Sequence, residues 1–396
     1  MNIWIVTRHL PPEVSGGVRR PLVLAQGLRA LGHDVSFVGP ARAQVTPLIE
    51  TPHPIFPSQS QASNETEAHT QAARKVSAKD RLLDWARRWL LLPDPEIRWA
   101  LRVVRTMITA AQRSGVPDWI ITTSPPESLH VAGYLAARKL KCRWVADVRD
   151  LWIERPQRRE LEASALRRAI ERIIARHVLS RADVIAAVSP VVLAEACVLA
   201  GPPRKVRPMG VIGHVSEAFD GAPERLPFET FNIVHTGSIS LSNPLSQIED
   251  LIGGFEDIVS KRPNARLLLA GRLAPDEEVK IATSPARHQI QALGVLSRNK
   301  ARALQCGADA LVLVSGPTSH ALPGKYSEYR TTGLPILLAG GGPWRDLIDP
   351  DANVHEFAEA INMQKAPVTP AAVPDQHDDQ PKNAAAILLA LMSKAE

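Results

Sequence analysis

The densest chemistry in this 396-residue chain lies between Leu322 and Pro335, which reads Leu-Pro-Gly-Lys-Tyr-Ser-Glu-Tyr-Arg-Thr-Thr-Gly-Leu-Pro. An apolar run at Ala310 to Val314 precedes it and another at Ile336 to Ala339 follows, so the segment reads as a crossover between two buried strands. Pro-Gly opens a helix expected to last about three turns, and Gly333 with Pro335 closes it. Lys325, in the first turn beside free backbone N–H groups, suits an anion, and Glu328 one turn on can accept hydrogen bonds from a diol. Phosphate next to sugar hydroxyls suggests a nucleotide. The same pattern also fits an ordinary crossover carrying an incidental Lys and Glu.

The elements that must position these residues alternate strand and helix in both halves. In the first, strand Ile3 to Val6 leads through Thr7 to Gly17 into helix Arg20 to Leu31 and strand Val35 to Val38. Ala41 to Ala78 has the Gln, Ser, Thr and Pro content of a mobile loop. Helices are expected at Lys79 to Leu92, Glu96 to Arg113 and Glu160 to Leu179, and strands at Trp119 to Thr123, Trp144 to Asp147 and Val184 to Val188. The second half repeats the pattern with strands Ile233 to Thr236, Arg266 to Ala270, Ile290 to Ala292, Ala310 to Val314 and Ile336 to Leu338, each followed closely by a glycine. Such an alternation predicts an α/β protein of two doubly wound parallel sheets. Ligands bind beyond the carboxyl ends of such strands. The loops at Gly16-Gly17, Ser124-Pro125-Pro126-Glu127, Arg149-Asp150 and Ser189-Pro190 should therefore line one crevice. Boundaries are expected to give 1–212, 213–375 and a terminal segment 376–396 carrying helix Lys382 to Lys394 after a Pro-rich tether.

The Leu322 to Pro335 segment closely resembles the Pro-Gly-Lys-x-x-Glu-Tyr-x-x-x-Gly-x-Pro signature of GT-B glycosyltransferases of family 4, in the branch that builds bacterial polysaccharides. Asp118 to Trp152 resembles that branch's middle motif, and Met1 to Val38 its N-terminal strand, Gly-rich loop and Gly-His-Asp-Val ending. The resemblance implies two Rossmann-like domains facing a central cleft, an N-terminal one for the acceptor and a C-terminal one for a nucleotide-sugar donor, with the last helix crossing back to the first domain. It implies retaining transfer of a sugar from a UDP- or GDP-sugar to a polysaccharide or lipid-linked saccharide, with no further cofactor and no metal. Glu328 would take the ribose hydroxyls, the Gly294-Val295-Leu296 loop the base, and Gly237-Ser238, Gly324 and Lys325 the diphosphate. Gly16 and Gly17 would approach the same diphosphate from the other domain. Asp147, Arg149 and Asp150 would meet the acceptor, where a carboxylate could orient the attacking hydroxyl, with His9, Pro125 and Glu127 on the same side. Asp147 equally suits a helix cap paired with Arg149, and an isolated histidine such as His9 usually has no such role.

The chain also departs from the family pattern. Many members carry an Arg and a Lys after the strand equivalent to Ile233 to Thr236, and a second glutamate eight residues before the ribose one. Here that loop reads Gly-Ser-Ile-Ser-Leu-Ser-Asn-Pro and the upstream position is His320. Lys325, with Arg272, is expected to take over charge neutralisation. The same departure leaves open a catalytically weak homologue serving as a scaffold, while a sugar-nucleotide epimerase of the same fold lacks its expected carboxylates and histidines here.

Bulk properties fit a two-domain protein. The three cysteines, Cys142, Cys197 and Cys306, are scattered without metal-ligand or disulfide spacing. No run of 18 apolar residues and no charged leader precede the first strand, which predicts a cytoplasmic protein. Residues 1–212 hold 31 Lys and Arg against 19 Asp and Glu, leaving 16 against 22 for the rest. The basic half suits an anionic partner. In Lys79 to Leu92, Leu82, Trp85, Ala86, Trp89 and Leu90 share one helical face away from Arg81, Arg87 and Arg88, a pattern for the surface of an anionic membrane, and equally for a helix packed on its own domain. Nucleic acid is not expected, because the tryptophans sit at apolar helical spacing rather than among basic residues along a groove.

Overall fold

The computed structural model describes residues 1–13, 16–53, 91–154, 164–202, 207–214, 216, 219–242, 245–317, 322–350, 352–365 and 380–395. The chain divides into two compact units, Met1–Val215 with Gln380–Glu396, and Ser216–Asp379.

In the first unit the order is β1 (Asn2–Val6), α1 (Gly16–Ala30), β2 (Asp34–Pro40), β3 (Leu48–Thr51), α2 (Ile97–Ser114), β4 (Trp119–Thr123), α3 (Ser128–Leu140), β5 (Arg143–Val148), α4 (Ala165–Leu179), β6 (Val184–Ala187), α5 (Pro190–Ala200) and β7 (Met209–Val211). The strands pair in parallel as β3-β2-β1-β4-β5-β6-β7. Helices cover both faces, so the central strands are buried along most of their length instead of alternating buried and exposed residues. Along β1, Trp4 and Val6 join the layer containing Trp99, Val103, Met107 and Ala111 of α2, while Ile3 and Ile5 join the opposite layer with Val23, Leu24 and Leu28 of α1. The terminal helix α10 (Gln380–Ser393) completes that second layer through Ala384, Ala385, Leu388, Leu391 and Met392. Gly27 makes its approach to α1 possible, since a Cβ there would lie 2.0 Å from the Pro381 carbonyl oxygen.

Several expectations change. Leu48–Thr51, inside the expected loop, is an edge strand paired with β2. Ser164 caps α4 by accepting from the Arg167 amide, so the helix starts at Ala165. The edge strands Met209–Val211 and, in the second unit, Val354–Glu356 were not expected. The proposed membrane-facing helix falls almost wholly on 79–90, outside the described residues, as do His320 and the tether.

The second unit runs β8 (Phe231–Thr236), α6 (Ile248–Lys261), β9 (Ala265–Ala270), α7 (Pro275–Thr283), β10 (Ile290–Gly294), α8 (Arg298–Cys306), β11 (Ala310–Val314), α9 (Lys325–Arg330), β12 (Ile336–Ala339) and β13 (Val354–Glu356). Its sheet is parallel, in the order β10-β9-β8-β11-β12-β13. The helix after Pro323-Gly324 has six residues, not three turns. Thr331 forms its C-cap, and Gly333, at φ 71°, turns the chain toward β12.

Candidate functional site

In each sheet the strand order reverses beside one central strand, β1 in the first unit and β8 in the second. Connections leaving the two sides of such a point run apart and open a crevice at the strand carboxyl ends. The chemistry-bearing residues collect there.

In the first unit the centre is an ion pair. Arg20, in the first turns of α1, sets Nη2 2.7 Å from Oδ1 and Nε 2.8 Å from Oδ2 of Asp147 at the end of β5. Its Nη1 donates to the carbonyls of Ile212 and Gly213, both at 2.8 Å. One buried guanidinium thus ties α1, β5 and the segment after β7. The side chains are 4% and 1% exposed. Burial alone would raise the Asp147 pKa, but Arg20 outweighs it and holds the carboxyl below the ordinary range. Asp147 is thereby placed as the partner of Arg20.

Arg149 is a second strut. Its Nε donates to the Ser124 carbonyl at 2.5 Å and its Nη1 to the Gly17 carbonyl at 2.9 Å, so it joins the start of α1 to the loops after β4 and β5. A Cβ on Gly17 would lie 2.6 Å from the His9 ring, so glycine is needed there to admit the imidazole. His9 Nδ1 lies 2.7 Å from Glu13 Oε1, and Arg8 Nη1 lies 3.0 Å from Glu13 Oε2. Asp150 reaches solvent at the rim. Crowding by protein raises its carboxyl pKa, opposed by Arg149 and then His9. The following segment is fixed by Glu195, whose carboxylate accepts the amides of Trp152, Ile153 and Glu154 at 2.6, 3.1 and 3.0 Å. Pro125 is half-buried and Glu127 is buried just before α3. Gly16 opens α1.

Sequence reasoning missed Arg20, Glu13 and His214. Desolvation and the nearby Arg20 and Arg149 charges push His214 down to about 4; its side chain reaches solvent, so the cationic neighbours are the firmer cause. It adds a neutral imidazole to a cationic cluster. Arg20 follows Gly16-Gly17 by three residues, and that proximity was the only available signal.

In the second unit the centre is the carboxylate of Glu328. Its Oε1 accepts from Gln305 Nε2 at 2.7 Å and from Lys325 Nζ at 3.3 Å. Gln305 also donates to Thr236 Oγ1 at 2.6 Å, and the Thr236 amide donates to the Tyr329 hydroxyl at 2.9 Å. Arg302, 3% exposed, donates to the Glu328 carbonyl at 3.0 Å and the Thr331 hydroxyl at 2.7 Å. Helix α8 and the end of β8 therefore hold α9 from below. Above the β8 end, Gly237 at φ 106° lies so near Lys325 that a Cβ would be 3.2 Å from its Cε. Gly271 admits the Gly237 carbonyl, which would lie 2.3 Å from a Cβ. The buried ring of His235 at the end of β8 meets the Val312 carbonyl at 3.0 Å, and burial lowers its pKa to about 4.

The structure thus brings together Gly237, Lys325 and Glu328, with Ser238 next to Gly237. Arg272 follows β9 as an exposed side chain, Val295 is exposed, Leu296 packs partly on the core, and Gly324 is exposed just before α9. Lys325 is 36% exposed against 15% for Glu328, leaving its ammonium open to a ligand. Among the described residues no group of three or more His, Cys, Asp or Glu is arranged to hold a metal, and no helix is long and apolar enough to cross a membrane. Asp349 pairs with Arg330 at 3.0 Å.

Residues 15–211 match the model of the glycosyl transferase 4-like domain. No curated protein matches the chain. Among solved structures, Anabaena HepE in complex with UDP and glucose is similar at 14% identity and TM-score 0.54, over 100% of this chain and 98% of that one. The sucrose-phosphate synthase of Thermosynechococcus elongatus is similar at 15% and 0.55, over 99% and 96%. The UDP-forming α,α-trehalose-phosphate synthase of Burkholderia vietnamiensis is similar at 10% and 0.56, over 100% and 98%. Such identities speak for the shared fold, and the family match adds the chemistry: the chain belongs to the GT-B glycosyltransferases, with a glycosyl transferase 4-like domain over residues 15–211.

Proposed function

We propose that the protein moves a sugar, with retention at the anomeric carbon, from a UDP-sugar to a hydroxyl of a polysaccharide or lipid-linked saccharide. The observation that carries this is the Lys325–Glu328 pair, supported by Gln305 and Thr236 and set against Gly237 at the end of β8. Cleaving the donor's glycosidic bond builds negative charge on the diphosphate, and a preorganised cation stabilises that charge more than it stabilises the ground state. Lys325 has the exposure to do this, with Arg272 as a second cation at the neighbouring strand end. Glu328, its carboxylate oriented by Gln305, suits the ribose diol. UDP is favoured over GDP by the UDP-bound and UDP-forming structures of the same fold. The first unit takes the acceptor, at Asp150 and His9.

Thermal shift with UDP, GDP and TDP and their sugars tests the reading. A ligand at 100 times its Kd adds about 2.7 kcal/mol of stability. UDP should stabilise the protein and a UDP-sugar should be turned over; no shift with any nucleotide overturns the donor assignment. The missing Arg and Lys after Gly237 favour a second reading, a scaffold that binds no donor, and the same outcome would support it.

A further inference from the structure

The loop after β8, Gly-Ser-Ile-Ser-Leu-Ser-Asn-Pro from Gly237, carries no cation, so it can offer an anion only N–H and hydroxyl groups. Its course is fixed residue by residue. The Gly237 amide donates to the Ala270 carbonyl at 2.7 Å, and the Ser242 amide closes a turn on the Ile239 carbonyl at 3.2 Å. Ile239, buried, packs into the core with Phe255 and Leu269. The Ser240 amide donates to Glu277 Oε1 at 3.0 Å. Glu277 is the third residue of α7 and is 1% exposed. Its Oε2 accepts the Ala274 amide at 2.7 Å, completing a helix start whose N-cap alanine has no side chain to do so. Such a cap needs one oxygen and works at a protein surface. Here the carboxylate is buried, at a desolvation cost that charge-assisted hydrogen bonds must offset, and its other oxygen crosses to a residue 37 positions away.

Between the anchored amides of Gly237 and Ser240 lies Ser238, half-buried, whose amide and hydroxyl have no protein partner among the described residues. It follows Gly237, where a Cβ would lie 3.2 Å from Lys325 Cε. Lys325 and Glu277 both act electrostatically on the buried His235 ring at the same strand end. Resting on the glycosyl-transfer reading, we propose that Glu277 is a positioning residue for the donor's diphosphate, holding the loop after β8 so that the Ser238 amide and hydroxyl bind a phosphate oxygen beside Lys325. Donors fixed in advance stabilise growing phosphate charge without reorganising, whereas a mobile loop would lose part of that gain to its own ordering. Glu277 itself touches no ligand, because its charge is satisfied by two amides.

Titration of UDP and of uridine into the wild type and Glu277→Gln tests this. Glutamine keeps the size of the side chain but turns one acceptor oxygen into an NH₂ donor, so it cannot hold both amides. UDP should bind the variant about 10-fold more weakly and uridine as before. With a UDP-sugar, kcat should fall about 10²-fold, as for a group displaced by about 1 Å. A carboxylate that only caps α7 would leave the ratio of UDP to uridine affinity unaltered, and an unaltered ratio in the folded variant overturns the role. Should the variant not fold, the wild type decides by ¹H–¹⁵N correlation. UDP should move the Ser238 amide proton downfield and slow its exchange with water, and uridine should do neither; an amide that UDP leaves unmoved overturns the role. A wild type that binds UDP no better than uridine removes the donor reading, and the role of Glu277 with it.

Discussion

At the carboxyl ends of its first sheet, the protein surrounds its charges with opposite charges; at the ends of the second, it leaves a cation partly open. Arg20 and Asp147 are buried and joined through two oxygens, and the remaining Arg20 hydrogens reach two carbonyls. Lys325 has one carboxylate at 3.3 Å and more than a third of its side chain in solvent. Charge neutralised inside the protein can hold loops in place but has little left for a ligand. An exposed ammonium can meet a phosphate and strengthens its interaction as charge develops there. The contrast separates a charge used up inside the protein from one left open to a ligand, and the sequence reading had named both Asp147 and Lys325 as candidate catalytic residues while leaving a structural role open for Asp147.

The largest test removes one half of the buried pair. Asp147→Ala leaves the Arg20 guanidinium buried with two carbonyls only, and should cost about 3–5 kcal/mol of stability by denaturant titration. A loss of activity without a loss of stability would return Asp147 to a chemical role. Next comes Lys325→Ala, expected to lower kcat about 10²- to 10³-fold while donor KM and the melting temperature change little. Near-normal kcat there, with a large loss in Arg272→Ala, would shift leaving-group stabilisation to the end of β9.

Acid should weaken both units by one mechanism. His130, which packs near Trp144 and Trp152 in the first unit, and His235 in the second are buried rings with pKa values lowered to about 4. In the unfolded chain they bind a proton from pH 6.5 downward, so stability is complete above that pH and falls toward pH 4, by up to about 3 kcal/mol for each ring. His130→Gln or His235→Gln variants that remain folded should show a flatter pH dependence of unfolding between those limits; an unchanged slope would show that the ring is not buried in the neutral form. Smallest is Glu328→Ala, which should weaken UDP binding by about 1.5–3 kcal/mol through lost charge-assisted hydrogen bonds. Because Glu328 also anchors Gln305, the Gln305→Ala variant should reproduce part of that loss, and unchanged affinity in both would remove the ribose role.

Much of this was legible in the sequence because it is local. Apolar runs buried on both faces mark β1, β4 and β11 directly, and the stripe Trp99, Val103, Met107, Ala111 marks α2. The Pro-Gly-Lys-x-x-Glu spacing names Lys325 and Glu328, since a helical turn sets residues three apart side by side whatever surrounds them. Local pattern failed where a few residues make an element. The edge strands Met209–Val211 and Val354–Glu356 have three residues each, too few for periodicity, and exist because a neighbouring strand offers unpaired backbone groups. Helix α9 is shorter than its punctuation suggested because Thr331 bonds to Arg302 and Gly333 turns away.

By itself, then, the sequence determined the α/β class, the crossovers and the identity of the residues at the strand ends. Only the tertiary structure decided their partners. Arg20 and Asp147 lie 127 residues apart and Gln305 and Glu328 lie 23 apart. No spacing rule joins such pairs, because the sheet order that brings β5 beside the start of α1, and α8 beneath α9, is fixed by burial of whole faces. Whether a carboxylate is neutralised or left to meet a ligand follows from that packing.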